Sequence, residues 1–199
     1  GVQSMNSPTV GTADLANFFT TGIERVEVMR GGSGVLYGSA AQSGIVNIIT
    51  KRGKGPAELE VMAEYGTNRT FRETLALSGS AIEPLKMPID EIYYAGSITR
   101  VDSDGIGTQN DYENWYVTNR VGMDINEFIN FDCVNRIYDS FVGLDSYNNY
   151  KPLGLTNNYQ KDRLVTVKPE LNINYGILEA RYSYAGSFQD MFYQPYNND

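Results

Sequence analysis

The sequence predicts an all-β chain: a smaller N-terminal domain, then about seven antiparallel strands of a transmembrane β-barrel. After residue 53, apolar and polar residues alternate with a period of two in seven segments, as in strands with one apolar face. Later in the chain, short and long connections alternate between these segments, as in outer-membrane barrels. No run of eighteen apolar residues is present, so the sequence offers no transmembrane helix.

The first part of the chain is organised around a glycine-rich unit at residues 23–53. Apolar and charged residues alternate over 23–30 and predict a strand. Three of the four residues at 31–34 are glycines, which interrupt the strand because glycine readily enters left-handed backbone regions. Residues 35–41 predict one or two helical turns, and the β-branched run at 45–50 predicts a second strand.

These residues also carry a family resemblance. The segments RVEVMRG, LYGSAA and GIVNIITKRG, in this order, resemble the C-terminal part of the plug domain of TonB-dependent outer-membrane receptors. One departure is Gly32, where many family members have proline. The resemblance implies that residues 1–53 are the C-terminal part of an α+β plug domain. Residues 54–199 are then the N-terminal portion of a barrel of about 22 strands.

The resemblance also implies a function. Such receptors actively import a scarce solute, commonly a ferric siderophore, cobalamin or a similar chelate, across the bacterial outer membrane. The expected partners are TonB, which would contact a plug segment missing from this chain, the extracellular solute and outer-membrane lipid. No bond is made or broken, so no enzyme and no cofactor are expected. We expect the chain to be a fragment of a longer receptor, and its sequence does not name the solute.

The period-two pattern defines the predicted barrel strands. They are residues 58–65, 71–79, 92–101, 116–125, 129–133, 164–174 and 177–186. A first strand that leaves the plug in the periplasm runs outward, which places every second connection outside. The outside loops are 66–69, 102–115 and 139–162; the periplasmic turns are 81–91, 126–128 and 175–176. The long loops therefore lie outside, as in known outer-membrane barrels, and the residues from 188 onward predict another loop.

The charges of the last hairpin indicate which face is polar. With Tyr175 and Gly176 as its turn, Glu170 lies opposite Arg181, and we predict a pair on the lumen side. The reason is that Arg or Lys on the lipid face costs about 2–4 kcal/mol at the bilayer midplane. The alternative is a solvated ion pair on a soluble sheet.

Several further residues are site candidates. Arg30 resembles the plug arginine that locks onto acidic residues of the barrel wall in related receptors; the alternative is an ion pair inside the plug. Aromatic residues in or beside the outside loops predict either stacking on a ligand or an interfacial girdle: Tyr112, Trp115, Tyr147, Tyr150 and Tyr159. Asp102, Asp104 and Asp111 supply oxygen ligands for Ca²⁺, but their spacing departs from the EF-hand pattern, and we predict no metal site.

Composition excludes several classes of function. The net charge is −8 without a basic run, which argues against a nucleic-acid partner. Histidine is absent, which removes His-dependent catalytic triads and the usual zinc sites. Cys133 is the single cysteine, so no intrachain disulfide forms.

Two other interpretations remain open at this point. A passive porin or adhesin-like barrel shares the strands but has no reason to carry the plug motif. A soluble Tyr-rich β protein would place polar side chains on at least one face assigned to lipid. An enzyme with paired carboxylates such as Glu58 and Glu60 has weak support, because acids alternating along an exposed strand are ordinary.

Overall fold

The computed structural model describes residues 19–31, 44–82, 89–106, 110–143, 154–173 and 176–194. The helical turns predicted at 35–41 lie outside these residues, as do Tyr147 and Tyr150. No helix in the described part of the chain is long and apolar enough to cross a membrane.

The two strands of the glycine-rich unit form a sheet of their own. Strand β1 (Ile23–Arg30) pairs antiparallel with β2 (Gly44–Thr50), and Val26 lies opposite Ile48. Gly31 and Gly44 flank the connection with φ angles of 104° and 153°, a region that favours glycine. Both predicted strands are confirmed, and we call this pair the β1–β2 unit.

The other strands form one antiparallel sheet. Their bounds are β3 (Glu58–Tyr65), β4 (Phe71–Ile82), β5 (Glu91–Ser103), β6 (Tyr112–Asn126), β7 (Ile129–Gly143), β8 (Gly154–Ile173), β9 (Gly176–Glu179) and β10 (Tyr182–Gln194). Strands β3 to β8 are neighbours in chain order, and β9 and β10 both pair with β8. Glu179 lies opposite Glu170 and Tyr182 opposite Val167, so β9 and β10 share one register. Among the described residues the sheet is therefore a meander of seven strands, the last one interrupted, and the predicted fold class is confirmed.

The strands extend further than hydrophobic alternation predicts. Strands β5 and β6 take up both ends of the predicted loop 102–115, and β7 and β8 take up both ends of 139–162. Strand β10 continues to Gln194, through residues predicted to begin a loop. The ladder bonds use only backbone N–H and C=O groups, so a strand continues where its side chains no longer alternate.

The turn between β6 and β7 is tighter than predicted. Residues 127 and 128 form the turn, and the register shifts between Asp124 and Asn126 where the sequence predicts a three-residue connection. The Asn126 side chain accepts the N–H groups of Phe128 and Ile129 at 2.8 and 2.9 Å. The irregularity supplies the missing residue, so Asp124 lies opposite Asn130 and the apolar faces stay aligned.

The last hairpin has a different register from the predicted one. Ile173 pairs with Gly176, whereas the predicted turn would leave Gly176 unpaired. Glu170 consequently lies opposite Glu179, and the prediction that it faces Arg181 is wrong. The two registers differ by two residues, which leaves every side chain on its face, so hydrophobic alternation does not distinguish them.

The two faces of the large sheet differ in chemistry. Thr74, Ser97, Thr99 and Thr118 are buried on one face, which we call the inner face, with hydroxyl contacts of 3.1 Å for Thr74–Thr99 and 2.8 Å for Ser97–Thr118. The opposite, outer face exposes many apolar side chains, among them Leu59, Val61, Leu75, Leu77, Val121 and Tyr182. A sheet that is polar inside and apolar outside suits a barrel wall in lipid and argues against the soluble β protein.

Candidate functional site

The β1–β2 unit contacts the inner face at its open end, where β1 begins and β2 ends. Ser97 Oγ donates to the Thr21 carbonyl at 3.3 Å, and the Arg120 guanidinium donates to the Thr50 carbonyl at 3.0 Å. Between them, Gly22 has a φ of 78°, and a Cβ there would collide with the hydroxyl groups of Ser97 and Thr118. Only glycine therefore allows this approach.

Arg52 joins the segment after β2 to two barrel strands. Its Nη2 lies 2.8 Å from Glu91 Oε2 on β5 and 2.5 Å from Asp124 Oδ2 on β6. The guanidinium also stacks 3.8 Å from the centroid of the Tyr93 ring, a cation–π contact. Burial lowers the pKa of Arg52, but the hydrogen bonds to Asp124 and Glu91 outweigh it and hold the pKa above its usual value. Arg52 is thus a fixed cation between two carboxylates.

Arg120 forms the second half of the same contact. Its Nε donates to Asp132 Oδ1 at 2.9 Å, while Tyr93 Oη donates to the same oxygen at 3.1 Å. Arg120 and Asp132 are about one-fifth exposed, and the Arg120 guanidinium also lies 5.9 Å from the Tyr93 ring. Tyr93 therefore lies between two arginines, one from the linker and one from the sheet.

We name this group the junction cluster. It comprises Arg52, Glu91, Tyr93, Arg120, Asp124 and Asp132. The backbone is held equally closely at the next residue, because a Cβ on Gly53 would collide with the carbonyls of Tyr94 and Gly79. The cluster thus fixes the point where the chain passes from the β1–β2 unit to the sheet.

The junction cluster was not predicted from the sequence. Arg52 lies in the segment GIVNIITKRG, and the pattern of that segment does not connect it with Glu91 or Asp124. A signal was present: Glu91 directly precedes one predicted strand and Asp124 is the last residue but one of the next, so an antiparallel meander brings both to the same edge. Neither residue type nor spacing identified Arg52 as their partner.

The charged inner face continues from the junction cluster to the last strand. Asp132 lies opposite Lys168 in the ladder. Lys168 Nζ contacts Glu170 at 2.9 Å and Glu179 at 3.1 Å, and Arg181 donates to Glu179 at 2.7 Å. Glu170 and Arg181 therefore share the inner face through Lys168 and Glu179, and their predicted direct pair is absent. Their location in a lumen remains a prediction.

The predicted lock residue stands apart from this cluster. Arg30 ends β1 with an exposed side chain, and no ion pair between described residues includes it. Charged contacts within the β1–β2 unit occur instead at Arg25, which donates to Glu27 at 2.8 Å. The role of Arg30 therefore stays a prediction.

The candidate aromatic residues are divided between the two faces. Tyr112 has the parity of the buried Asn114, which donates to its hydroxyl at 2.7 Å, so Tyr112 lies on the inner face. Trp115 is on the outer face, 41% exposed, with the Arg100 guanidinium 5.4 Å from its ring centroid. Tyr159 lies opposite Phe141 and shares the outer face. No single ligand reaches all three, and Trp115 has the position of an interfacial girdle residue.

Two of the three aspartates considered for calcium, Asp102 and Asp104, bind arginines. Asp102 contacts Arg100 at 3.1 Å, and Asp104 is paired with Arg69. Within the described ranges, no group of three acids, cysteines or histidines is arranged to hold a metal ion. These contacts favour structural ion pairs over a cation site.

Two comparisons with known proteins bear on this arrangement. Residues 1–45 match the family model of the TonB-dependent receptor plug domain. A stretch of 68 residues is 44% identical to the vitamin B12 transporter BtuB of Photobacterium profundum. That match covers 34% of this chain and 11% of the relative, so the chain matches only a small part of the relative's length.

Proposed function

Because this chain belongs to the TonB-dependent receptors of the bacterial outer membrane, we propose that it is the plug-to-barrel junction of a receptor for active solute import. The plug part is residues 1–53 and the barrel part residues 54–199. Proteins of this family are transporters and not enzymes.

One observation carries the proposal. The β1–β2 unit is tied by Arg52 and Arg120 to the polar face of a sheet whose other face is apolar and exposed. A plug must contact the inside of a wall whose outside contacts lipid, and this arrangement meets both requirements. A passive porin needs no such unit, so the junction favours gated over passive transport.

The family architecture sets the orientation. Strand β3 leaves the plug on the periplasmic side, so the connections β3–β4, β5–β6 and β7–β8 lie outside. The junction cluster is then at the periplasmic end of the wall, where TonB would act on the plug. We propose that the cluster anchors the C-terminal end of the plug while upstream plug residues move.

We propose a metal chelate as the solute, with a corrinoid tested first. The similarity to a vitamin B12 transporter supports this choice. Ferric siderophores are the other common class of solute and are tested second. Tyr112, on the inner face near the outer end of β6, is a candidate ligand contact. Arg30 is a candidate lock to acidic barrel residues, since it ends β1 exposed.

The test is uptake by cells that express the full-length receptor. We expect labelled cobalamin uptake that is lost without TonB or after collapse of the proton gradient. Uptake that survives both treatments would replace the proposal with a passive barrel. If only a ferric chelate is taken up, still with TonB dependence, the solute changes and the transport mechanism stands.

A further inference from the structure

A stripe of small hydroxyl side chains lies on the inner face behind the β1–β2 unit. It comprises Thr74 on β4, Ser97 and Thr99 on β5, and Thr118 on β6, and we call it the hydroxyl stripe. All four residues are at most 6% exposed, and their hydroxyls contact each other in two pairs, at 3.1 Å and 2.8 Å. Serine and threonine hydroxyls donate and accept hydrogen bonds and carry no charge. The stripe is therefore a neutral polar surface.

Residues 19–22, which lead into β1, cover this stripe, and we call them the covering segment. Phe19 packs edge-on against Tyr116, beside the stripe on β6, with ring centroids 5.6 Å apart. The Arg72 guanidinium lies 5.3 Å from the centroid of the Phe19 ring. At the other end of the segment, Gly22 lies directly against the hydroxyls of the stripe. The segment thus separates the stripe from the rest of the lumen.

The two attachments of the β1–β2 unit to the sheet differ in strength. On the β2 side, Arg52 and Arg120 form charged hydrogen bonds in the junction cluster. On the β1 side, Ser97 donates a neutral hydrogen bond to the Thr21 carbonyl at 3.3 Å. Hydrogen bonds that involve a charged group are about twice as strong as neutral ones. A pull on the chain before residue 19 therefore lifts the covering segment before the junction cluster opens.

A cavity of about 310 Å³ already separates the β1–β2 unit from the sheet next to the stripe. Gly22 and Lys51 bound it on the side of the unit. Its floor includes small residues of β4 and β5: Ala76, Ser78, Ala95 and Gly96. Ala76 is the ladder partner of Ser97, so this floor continues into the hydroxyl stripe. Lifting the covering segment joins the cavity and the stripe into one passage along the wall.

We propose that the hydroxyl stripe is a transit subsite for a solute whose surface carries uncharged amide or hydroxyl groups, and that it is uncovered when the covering segment lifts. This inference rests on the proposed function, because it needs a solute that crosses the lumen when TonB acts on the plug. The solute exchanges its hydrogen bonds with water for hydrogen bonds with the stripe. Several weak neutral contacts favour entry and still allow the solute to leave. An anionic solute finds no counter-charge on the stripe.

The first experiment measures uptake by cells that express the full-length receptor. The probes are labelled cyanocobalamin, whose periphery carries amides, and an anionic ferric tris-catecholate. Thr74→Val/Thr99→Val removes both hydroxyls of one pair with little change in shape. Thr74→Ser/Thr99→Ser keeps the hydroxyls. Thr166→Val/Ser183→Ala is the matched control, since it removes another hydroxyl pair of the inner face, 3.2 Å apart on β8 and β10.

We expect Thr74→Val/Thr99→Val to lower TonB-dependent uptake of cyanocobalamin about tenfold. Its binding to de-energised cells should equal that of wild type, which shows that the receptor is folded. The serine variant and the control should transport at the wild-type rate. Three results would overturn the inference: full uptake by the valine variant, an equal loss in the control, or TonB-dependent uptake of the ferric chelate alone. In all three the proposed function stands, whereas uptake without TonB refutes the proposed function itself.

A second experiment tests whether the stripe is uncovered. Thr99→Cys is introduced into a full-length receptor that is otherwise free of cysteine, including Cys133→Ala. Residue 99 is 1% exposed in this structure, so a membrane-impermeant maleimide should not label the introduced thiol in cells that lack TonB. In energised cells with TonB and cyanocobalamin, the thiol should be labelled. Labelling that is the same with and without TonB would contradict the lifting of the covering segment.

Discussion

The junction cluster and a row of side chains on the outer face both combine charged and aromatic residues, on opposite faces of one sheet. We call the second group the outer charged row; it comprises the ladder partners Glu73, Arg100, Trp115, Asp139 and Lys161. In the junction cluster, Arg120 and Asp132 are about one-fifth exposed. Both of its arginines have contacts besides carboxylates: Arg120 donates to the Thr50 carbonyl, and Arg52 stacks on the Tyr93 ring. In the outer row, Arg100 and its partners Asp102 and Glu113 are 37–49% exposed. Breaking an ion pair costs more free energy where the pair is shielded from water than where it is exposed. The inner ion pairs therefore hold the β1–β2 unit on the sheet, whereas the outer ones mark the end of the apolar band.

Removing Arg120 should have the largest effect of the changes considered. Arg120→Ala leaves Asp132 without its arginine and the Thr50 carbonyl without its donor, and should lower the free energy of unfolding by about 3–5 kcal/mol. Urea titration of the full-length receptor in detergent measures it. The free energy of unfolding of Arg120→Lys should lie between those of wild type and Arg120→Ala. An ammonium keeps the charge but does not reproduce the planar, forked guanidinium. A decrease of less than about 1 kcal/mol in the free energy of unfolding would mean that the junction cluster stabilises the protein no more than the outer charged row does.

Placing a cation in the apolar band of the outer face should have the second-largest effect on stability. Val121→Lys places a charge on the outer face among exposed apolar residues. We expect the free energy of unfolding, measured in lipid vesicles, to fall by about 2–4 kcal/mol. Glu73→Lys, in the outer charged row, is the matched control with an expected cost of about 0–1 kcal/mol. Equal costs at the two positions would show that the row does not mark the end of the lipid-facing band.

Neutralising the outer row should have a small effect. Arg100→Gln removes exposed pairs with Asp102 and Glu113, so the free energy of unfolding should fall by about 0–1 kcal/mol. The same titration at low and high salt measures it, and the difference should shrink as salt screens the pair. A salt-independent loss of several kcal/mol would make these contacts equivalent to the junction.

The smallest effect concerns the β1–β2 unit at acid pH. A hydrogen bond from Arg25, and then one from Asn47 across the strands, hold the pKa of Glu27 below its usual 4.5. Because the pKa of Glu27 is lower in the folded state, its carboxylate stabilises the β1–β2 unit fully above the unfolded-state pKa. This stabilisation is lost as the pH falls through the folded-state pKa. Amide hydrogen exchange of β1 and β2 should therefore increase at low pH relative to Glu27→Gln. Identical pH dependence in the two proteins would contradict this.

The strands of this chain could be predicted because their signal is local. Alternation over β3 and β4 places Leu59 and Leu75 on one face and Glu60 and Thr74 on the other, as found. Where alternation fades, as at the outer ends of β7 and β8, the strands continue and the prediction ends early. The junction cluster was not predicted, because Arg52 meets Glu91 and Asp124 only after three separate segments come together.

By itself, the sequence determined the number of barrel strands, the parity of their side chains and the resemblance to a plug. A period of two assigns each residue to a face whatever lies beside it. Only the tertiary structure decided the partners: Glu179 and not Arg181 lies opposite Glu170, and Arg52 binds the wall. Registers that differ by two residues keep the same faces, so the choice between them depends on how each turn closes and which charges then meet.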